Sequence, residues 1–235
     1  MKSNEELRAE MESIKWYHTI DLGNGMTTPG SSYLPERISE LRIPADLSGL
    51  HVLDIGAWDG GISFECERRN AARVAALDSY VWYTERCGCG RGFDFAKSVL
   101  NSGVEKCVCE VQDISPTVGE FDIVIFSQIL YHMRHPLLCL ERIASVTKPG
   151  GLLIMETVID MLLTDRPAAA FYPSDELCED FTNWWGVNEP CLVAMLRDVG
   201  FGDIDILARH AAIDPASTDP TKSHGRISLH ARRSP

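Results

Sequence analysis

Three carboxylates punctuate the first half of this chain, each at or near the end of an apolar run. Asp54 lies in the run His51–Ile55, Asp78 closes Arg73–Leu77, and Asp113 closes Lys106–Val111. Gly56, Gly60 and Gly61 follow the first run. Glycine lets a backbone approach a ligand closely, and a helix starting there offers unpaired N–H groups. Asp78 comes 22 residues after Gly56, a spacing that suits an acid accepting hydrogen bonds from ribose hydroxyls. Asp113 and Ile114 could offer a polar group to an adenine amino group and an apolar face to its ring. Ligands bind beyond the carboxyl ends of parallel strands, so acids ending successive strands would share one crevice. The plainer alternative is that each acid caps the helix after it.

A dinucleotide would want G-x-G-x-x-G in this turn. Trp58 stands at the second glycine's place and would obstruct a pyrophosphate. An adenosyl cofactor without phosphate has no such need. Base chemistry has two candidates, His132 and His18. Either could take a proton from a hydroxyl acceptor, and either could equally be structural. Glu156 could orient an acceptor or stay packed beneath the pocket. Phe171, Tyr172, Trp184, Trp185 and Asn188 belong to an aromatic stretch that could wall a pocket for a planar or apolar acceptor. The same stretch could form a subunit interface, which leaves a homodimer open. Trp16 and Tyr17 head a segment rich in Gly and Thr that could close over the crevice as a lid, or simply cover apolar surface. Two cysteine pairs, Cys87/Cys89 and Cys107/Cys109, have one residue between partners. Zinc sites usually use two or more, so no metal is expected.

The elements that must position these residues alternate. Helix patterns cover residues 5–16, 32–41, 62–69, 93–100, 136–146 and 190–199. Strand patterns cover 51–55, 73–77, 106–111, 121–126 and 152–156, with a closing antiparallel pair at 204–208 and 227–231. That alternation predicts a mostly parallel α/β sheet. The stretch Asp214–Gly225 reads as a mobile loop. A length of 235 residues suits one full-sized domain. No apolar run is long enough for a membrane span, and no secretory leader is visible, so a cytoplasmic protein is expected. The net charge of -12 disfavours a nucleic acid partner without settling the matter.

VLDIGAWDGG, ALDSY, VQDI, FDIVIFSQILYH and KPGGLLIMET occur in that order over about residues 50 to 157. Together they resemble the successive motifs of class I S-adenosylmethionine-dependent methyltransferases. The resemblance implies a doubly wound, mostly parallel seven-stranded sheet. It implies S-adenosylmethionine as donor and S-adenosylhomocysteine as product. It also implies cofactor contacts from Asp54, Gly56, Ala57, Trp58, Gly60, Asp78, Ser79, Asp113, Ile114, Ser127, Leu130 and Tyr131. Residues 1–48 would then be a helical lid and loop, and 49–235 the methyltransferase domain, with the aromatic insert at about 158–190. More narrowly, FDIVIFSQILYHMRHPLLCLERI followed by METVID is similar to bacterial enzymes that modify wobble uridine in tRNA by carboxymethyl transfer. Those enzymes use a carboxylated cofactor held by basic and tyrosyl groups, of which the motif places Tyr131 here. The acidic charge, the short chain and the insert favour a plain methyl donor and a small-molecule acceptor with a hydroxyl or amine. A tRNA-modifying transferase and a non-catalytic cofactor-binding subunit are the alternatives.

Overall fold

The computed structural model describes residues 2–163, 166–211 and 224–235. They divide into two units, Met1–Glu110 and Val111–Pro235. In the first, Ser3 starts helix α1 (Asn4–Glu12) with a capping box: its hydroxyl accepts the Glu6 N–H, and the Glu6 carboxylate accepts the Ser3 N–H. The helix stops at Glu12, short of the expected residue 16, and Trp16 lies beyond it. A small hairpin, β1 (Asp21–Gly23) and β2 (Met26–Thr27), and helix α2 (Leu34–Glu40) follow. Three parallel strands then run in the order β3 (His51–Ile55), β4 (Arg73–Asp78), β5 (Glu105–Val108). β3 and β4 are buried almost throughout, as strands covered on both faces must be. Helices α3 (Gly61–Arg68), α4 (Tyr80–Tyr83) and α5 (Arg91–Leu100) connect them. Phe64, Trp82 and Phe93 pack together, with ring centroids 5.3 and 5.0 Å from Phe93. β5 ends at Val108, so Asp113 does not close this strand as expected; it lies in a separate 3-10 turn, Val111–Asp113.

In the second unit the path is β10 (Phe201–Ala211), β11 (His224–Arg233), β7 (Thr147–Asp160), β6 (Phe121–Ser127). β6 and β7 are parallel, and β11 is antiparallel to both β7 and β10. Helix α6 (Pro136–Val146) joins β6 to β7, and α7 (Glu189–Asp198) precedes β10. β7 is much longer than the expected 152–156. Its ladder with β11 continues from Leu152 opposite Arg232 to Asp160 opposite His224, and this pairing carries the strand onward. The aromatic insert contains two short strands that no periodicity announced, β8 (Ala169–Phe171) and β9 (Trp185–Val187). They pair antiparallel, and β9 joins β7 through Val187 opposite Ile159. Besides the β1–β2 hairpin, three strands in the first unit and four in the second make the expected largely parallel α/β class; β8 and β9 are additional. The expected loop at Asp214–Gly225 lies almost wholly outside the described residues. Among the described residues, no helix is long and apolar enough to cross a membrane.

Candidate functional site

In the first unit the turn after β3 is shaped by its neighbours. The N–H groups of Gly56 and Ala57 both donate to the Leu77 carbonyl, at 2.8 and 3.1 Å. Gly60 has φ +84°, and a Cβ there would stand 2.6 Å from Phe64 and 2.8 Å from Phe93, so no larger residue fits. Trp58 takes φ +50° despite its side chain. It is held by its N–H donating to Asp78 Oδ2 at 3.0 Å and by Trp82 Nε1 donating to its carbonyl at 2.6 Å.

Asp78 also accepts the Ser79 and Val81 N–H groups on Oδ1, at 2.7 and 3.2 Å. Capping is therefore part of its work, as the plainer alternative held. A carboxylate has about four lone-pair sites, so three bonds leave room for one more donor. Burial raises the Asp78 pKa, and the three backbone N–H bonds oppose that rise. Asp54 is buried and accepts from Ser63 Oγ at 2.5 Å. Burial pushes its carboxyl up to about 6, against the Ser63 bond and the nearby His18, while Asp78 adds to the rise. A native pKa above the ordinary 3.8 means stability falls as pH climbs from there to about 6, and the loss persists above. Asp54→Asn keeps the acceptor for Ser63 and removes the buried charge. It is expected to raise the melting temperature at pH 7.5, by a gain of up to about 3 kcal/mol, and to change little at pH 4. Thermal unfolding at both pH values checks this; equal effects at both would refute it.

The N-terminal candidates sit at the same turn. His18 is buried, and its Nδ1 bonds to Asp59 Oδ1, a residue that sequence reasoning did not single out. The Tyr17 ring stacks on Trp58, centroids 4.5 Å apart and planes 16° from parallel. Trp16 is a core residue: its Nε1 donates to the Met11 carbonyl at 2.9 Å and its ring meets Phe95 edge-on. Its expected place on an acceptor surface is thus not met, because burial has consumed both its ring and its N–H.

In the second unit Asp113 is exposed and Ile114 fully buried, so Ile114 lies in the core and turns no open face to a ring. β6 ends at half-buried Ser127. Gln128 next takes φ +60° and donates its N–H to the Glu156 carbonyl at 2.8 Å. Glu156 is buried; its Oε1 accepts from Gln128 Nε2 at 3.1 Å and Arg226 Nη1 at 3.4 Å. Neither partner was legible, since β11 brings Arg226 alongside from 70 residues away. A 3-10 turn then carries buried Leu130, half-buried Tyr131 and His132. His132 Nδ1 lies 3.0 Å from the Thr182 carbonyl. The Thr182 hydroxyl, 3.1 Å from the same nitrogen, donates to Asp180 Oδ1, and a carbonyl only accepts, so Nδ1 carries the proton and Nε2 keeps its lone pair. Burial lowers the His132 pKa, against the Thr182 bond and Asp180. With its pKa lowered, the ring is neutral at pH 7.

The aromatic insert is tied to this turn, because the Trp184 N–H donates to the Tyr131 carbonyl at 2.8 Å. Phe171, half exposed at 50%, stacks with Trp184 and tilts against Trp185, at 6.3 and 5.1 Å. The Arg134 guanidinium lies 3.5 Å from the Trp184 centroid, a close cation–π contact. Two expected members of the wall are structural instead. Tyr172 is buried with Val158 and Leu177, and its hydroxyl donates to Asp160 Oδ2 at 2.5 Å, which with burial raises its pKa. Asn188 is buried; its Oδ1 accepts the Cys191 and Ala168 N–H groups, and its Nδ2 donates to the Leu163 and Arg166 carbonyls. That amide caps α7 and staples a loop, with no group left for an acceptor. All eight cysteines are free thiols, and among the described residues no group of three or more side chains could hold a metal ion.

Residues 31–201 match a family profile described as a methyltransferase domain. A tRNA U34 carboxymethyltransferase of Syntrophotalea carbinolica is 32% identical over 171 residues, 70% of this chain and 48% of that protein. The chain therefore spans about half the length of the curated relatives of this kind that it matches. A ubiquinone biosynthesis O-methyltransferase of Xanthomonas campestris is 31% identical over 149 residues, 63% of this chain and 57% of its own. The N-terminal domain of EvdMO1, crystallised in the presence of SAH and D-fucose, superposes with a TM-score of 0.69 at 19% identity, covering 99% of this chain and 97% of that one.

Proposed function

We infer that this chain, which belongs to the family of methyltransferase domains, transfers the methyl group of S-adenosylmethionine to the hydroxyl or amine of a small molecule. One observation supports the acceptor class most: the half-exposed aromatic wall of Phe171, Trp184 and Trp185, hung from Tyr131 beside His132. Such a wall suits a planar or apolar acceptor. The net charge of -12 points the same way, away from polyanions.

The residues of the first unit fit an adenosyl cofactor. The turn offers glycine at Gly56 and Gly60, and the remaining lone pair of Asp78 suits a ribose hydroxyl. When bound, the cofactor supplies a methyl group already activated by its sulfonium. The chain's own task is then chiefly alignment. A hydroxyl acceptor must also lose its proton, and His132 Nε2 is the group to receive it. Glu156 is engaged by Gln128 and Arg226, which hold its carboxylate in place.

Transfer to tRNA is the second reading, favoured by the 32% identity to the U34 enzyme. Its donor would be the carboxylated cofactor, with Tyr131 among the groups that hold the added carboxylate. Thermal unfolding with S-adenosylhomocysteine, followed by labelled-methyl transfer to a panel of small hydroxyl and amine acceptors and to unmodified tRNA, tests both. The expected result is a melting temperature raised by the ligand, about 2.7 kcal/mol at a hundred times its Kd, and label in small acceptors only. No shift at millimolar ligand refutes the cofactor reading. Label in tRNA alone replaces the first reading with the second. Turnover of any acceptor removes the idea of a non-catalytic subunit.

A further inference from the structure

Asp59 is a carboxylate with 1% exposure, and three donors converge on it. Oδ2 accepts the backbone N–H of Tyr17 at 2.7 Å and of His18 at 3.0 Å, and Oδ1 bonds to His18 Nδ1. A carboxylate this deeply buried needs such bonds to replace its water. Here every one of the three comes from a segment 41 or 42 residues upstream. The segment is also fitted sterically. A Cβ on Gly61 would stand 2.7 Å from His18 Cγ, and one on Gly30 would stand 2.2 Å from the His18 carbonyl carbon. Thr28 Oγ1 donates to the His18 carbonyl at 2.6 Å and accepts the Ile20 N–H at 2.7 Å. One residue before Asp59, Trp58 holds a left-handed conformation that a glycine would take freely. The stacked Tyr17 ring covers it.

We propose that the buried His18–Asp59 pair is a positioning pair for the cofactor: it locks the segment from Trp16 to Ile20 onto the glycine turn and thereby sets the turn's shape. The N-terminal segment is then a fixed wall of the cofactor site and not a lid that closes on it. Glycine makes such a turn compliant. In this chain side chains make it rigid, and the residue at the second glycine's place is held by its neighbours on both sides. The role rests on reading this turn as the cofactor turn.

Hydrogen exchange on the wild-type protein and calorimetric titration of variants with S-adenosylhomocysteine test it. A wall predicts that the Tyr17 and His18 amides are protected in the free protein. A lid predicts protection only with ligand, and free-state exchange at the rate of an unstructured peptide overturns the proposal. Asp59→Asn and His18→Asn are each expected to weaken ligand binding by about tenfold to a hundredfold. The double variant should be no weaker than the worse single one, because both remove the same contact. Variants that keep a cooperative melt yet bind within threefold of wild type overturn the role. Wild-type protein that binds no S-adenosylhomocysteine refutes the cofactor reading and with it the role, while free-state protection of Tyr17 and His18 would be unaffected.

Discussion

Asp78→Ala is expected to weaken binding of S-adenosylhomocysteine by about a hundredfold or more, measured by calorimetry. Asp78 receives the N–H groups of Trp58, Ser79 and Val81, and on the proposed reading its remaining acceptor position takes a ribose hydroxyl. A hydrogen bond to a charged acceptor contributes about 1.5–3 kcal/mol, and each 1.4 kcal/mol is tenfold in affinity. Loss of the ribose bond alone thus gives roughly tenfold to a hundredfold. Freeing the Trp58 N–H adds to this, since a left-handed tryptophan needs its partners. Asp78→Asn should fall between, because one amide oxygen still accepts while the amide nitrogen cannot. Wild-type affinity in the alanine variant would reduce Asp78 to a cap of α4.

His132→Ala is expected to lower kcat for a hydroxyl acceptor by about a hundredfold to ten-thousandfold, the usual scale of general-base catalysis. The KM for the donor should change little, since on the proposed reading Nε2 takes the acceptor's proton and does not hold the donor. The pH profile carries the sharper sign. The base must be unprotonated, and burial holds the His132 pKa below its ordinary 6.5. The rate should therefore rise with pH through that lowered value, level off by neutrality, and lose this acid limb in the variant. An unchanged kcat with a hydroxyl acceptor would return His132 to a structural role, fastening the turn after β6 to Thr182.

What the sequence by itself determined was whatever depends on near neighbours along the chain. Apolar runs made β3, β4 and β6 where expected, because burial on both faces leaves a continuous pattern. Gly56 and Gly60 marked the turn, since positive φ excludes most other residues. The α/β class followed from alternation alone. Tertiary structure decided which polar atoms were already engaged. Trp16, Tyr172 and Asn188 read as surface for an acceptor, yet their N–H, hydroxyl and amide groups are bound by Met11, Asp160 and the loop before β8. Asp59 and Gln128 carried no signal of their own. Each gained meaning from a partner, His18 at 41 residues and Glu156 at 28. β8 and β9 escaped because three residues are too few to show a period. Propensity and patterning are local, whereas a buried hydrogen bond is a contract between distant segments that only the folded chain brings within 3 Å.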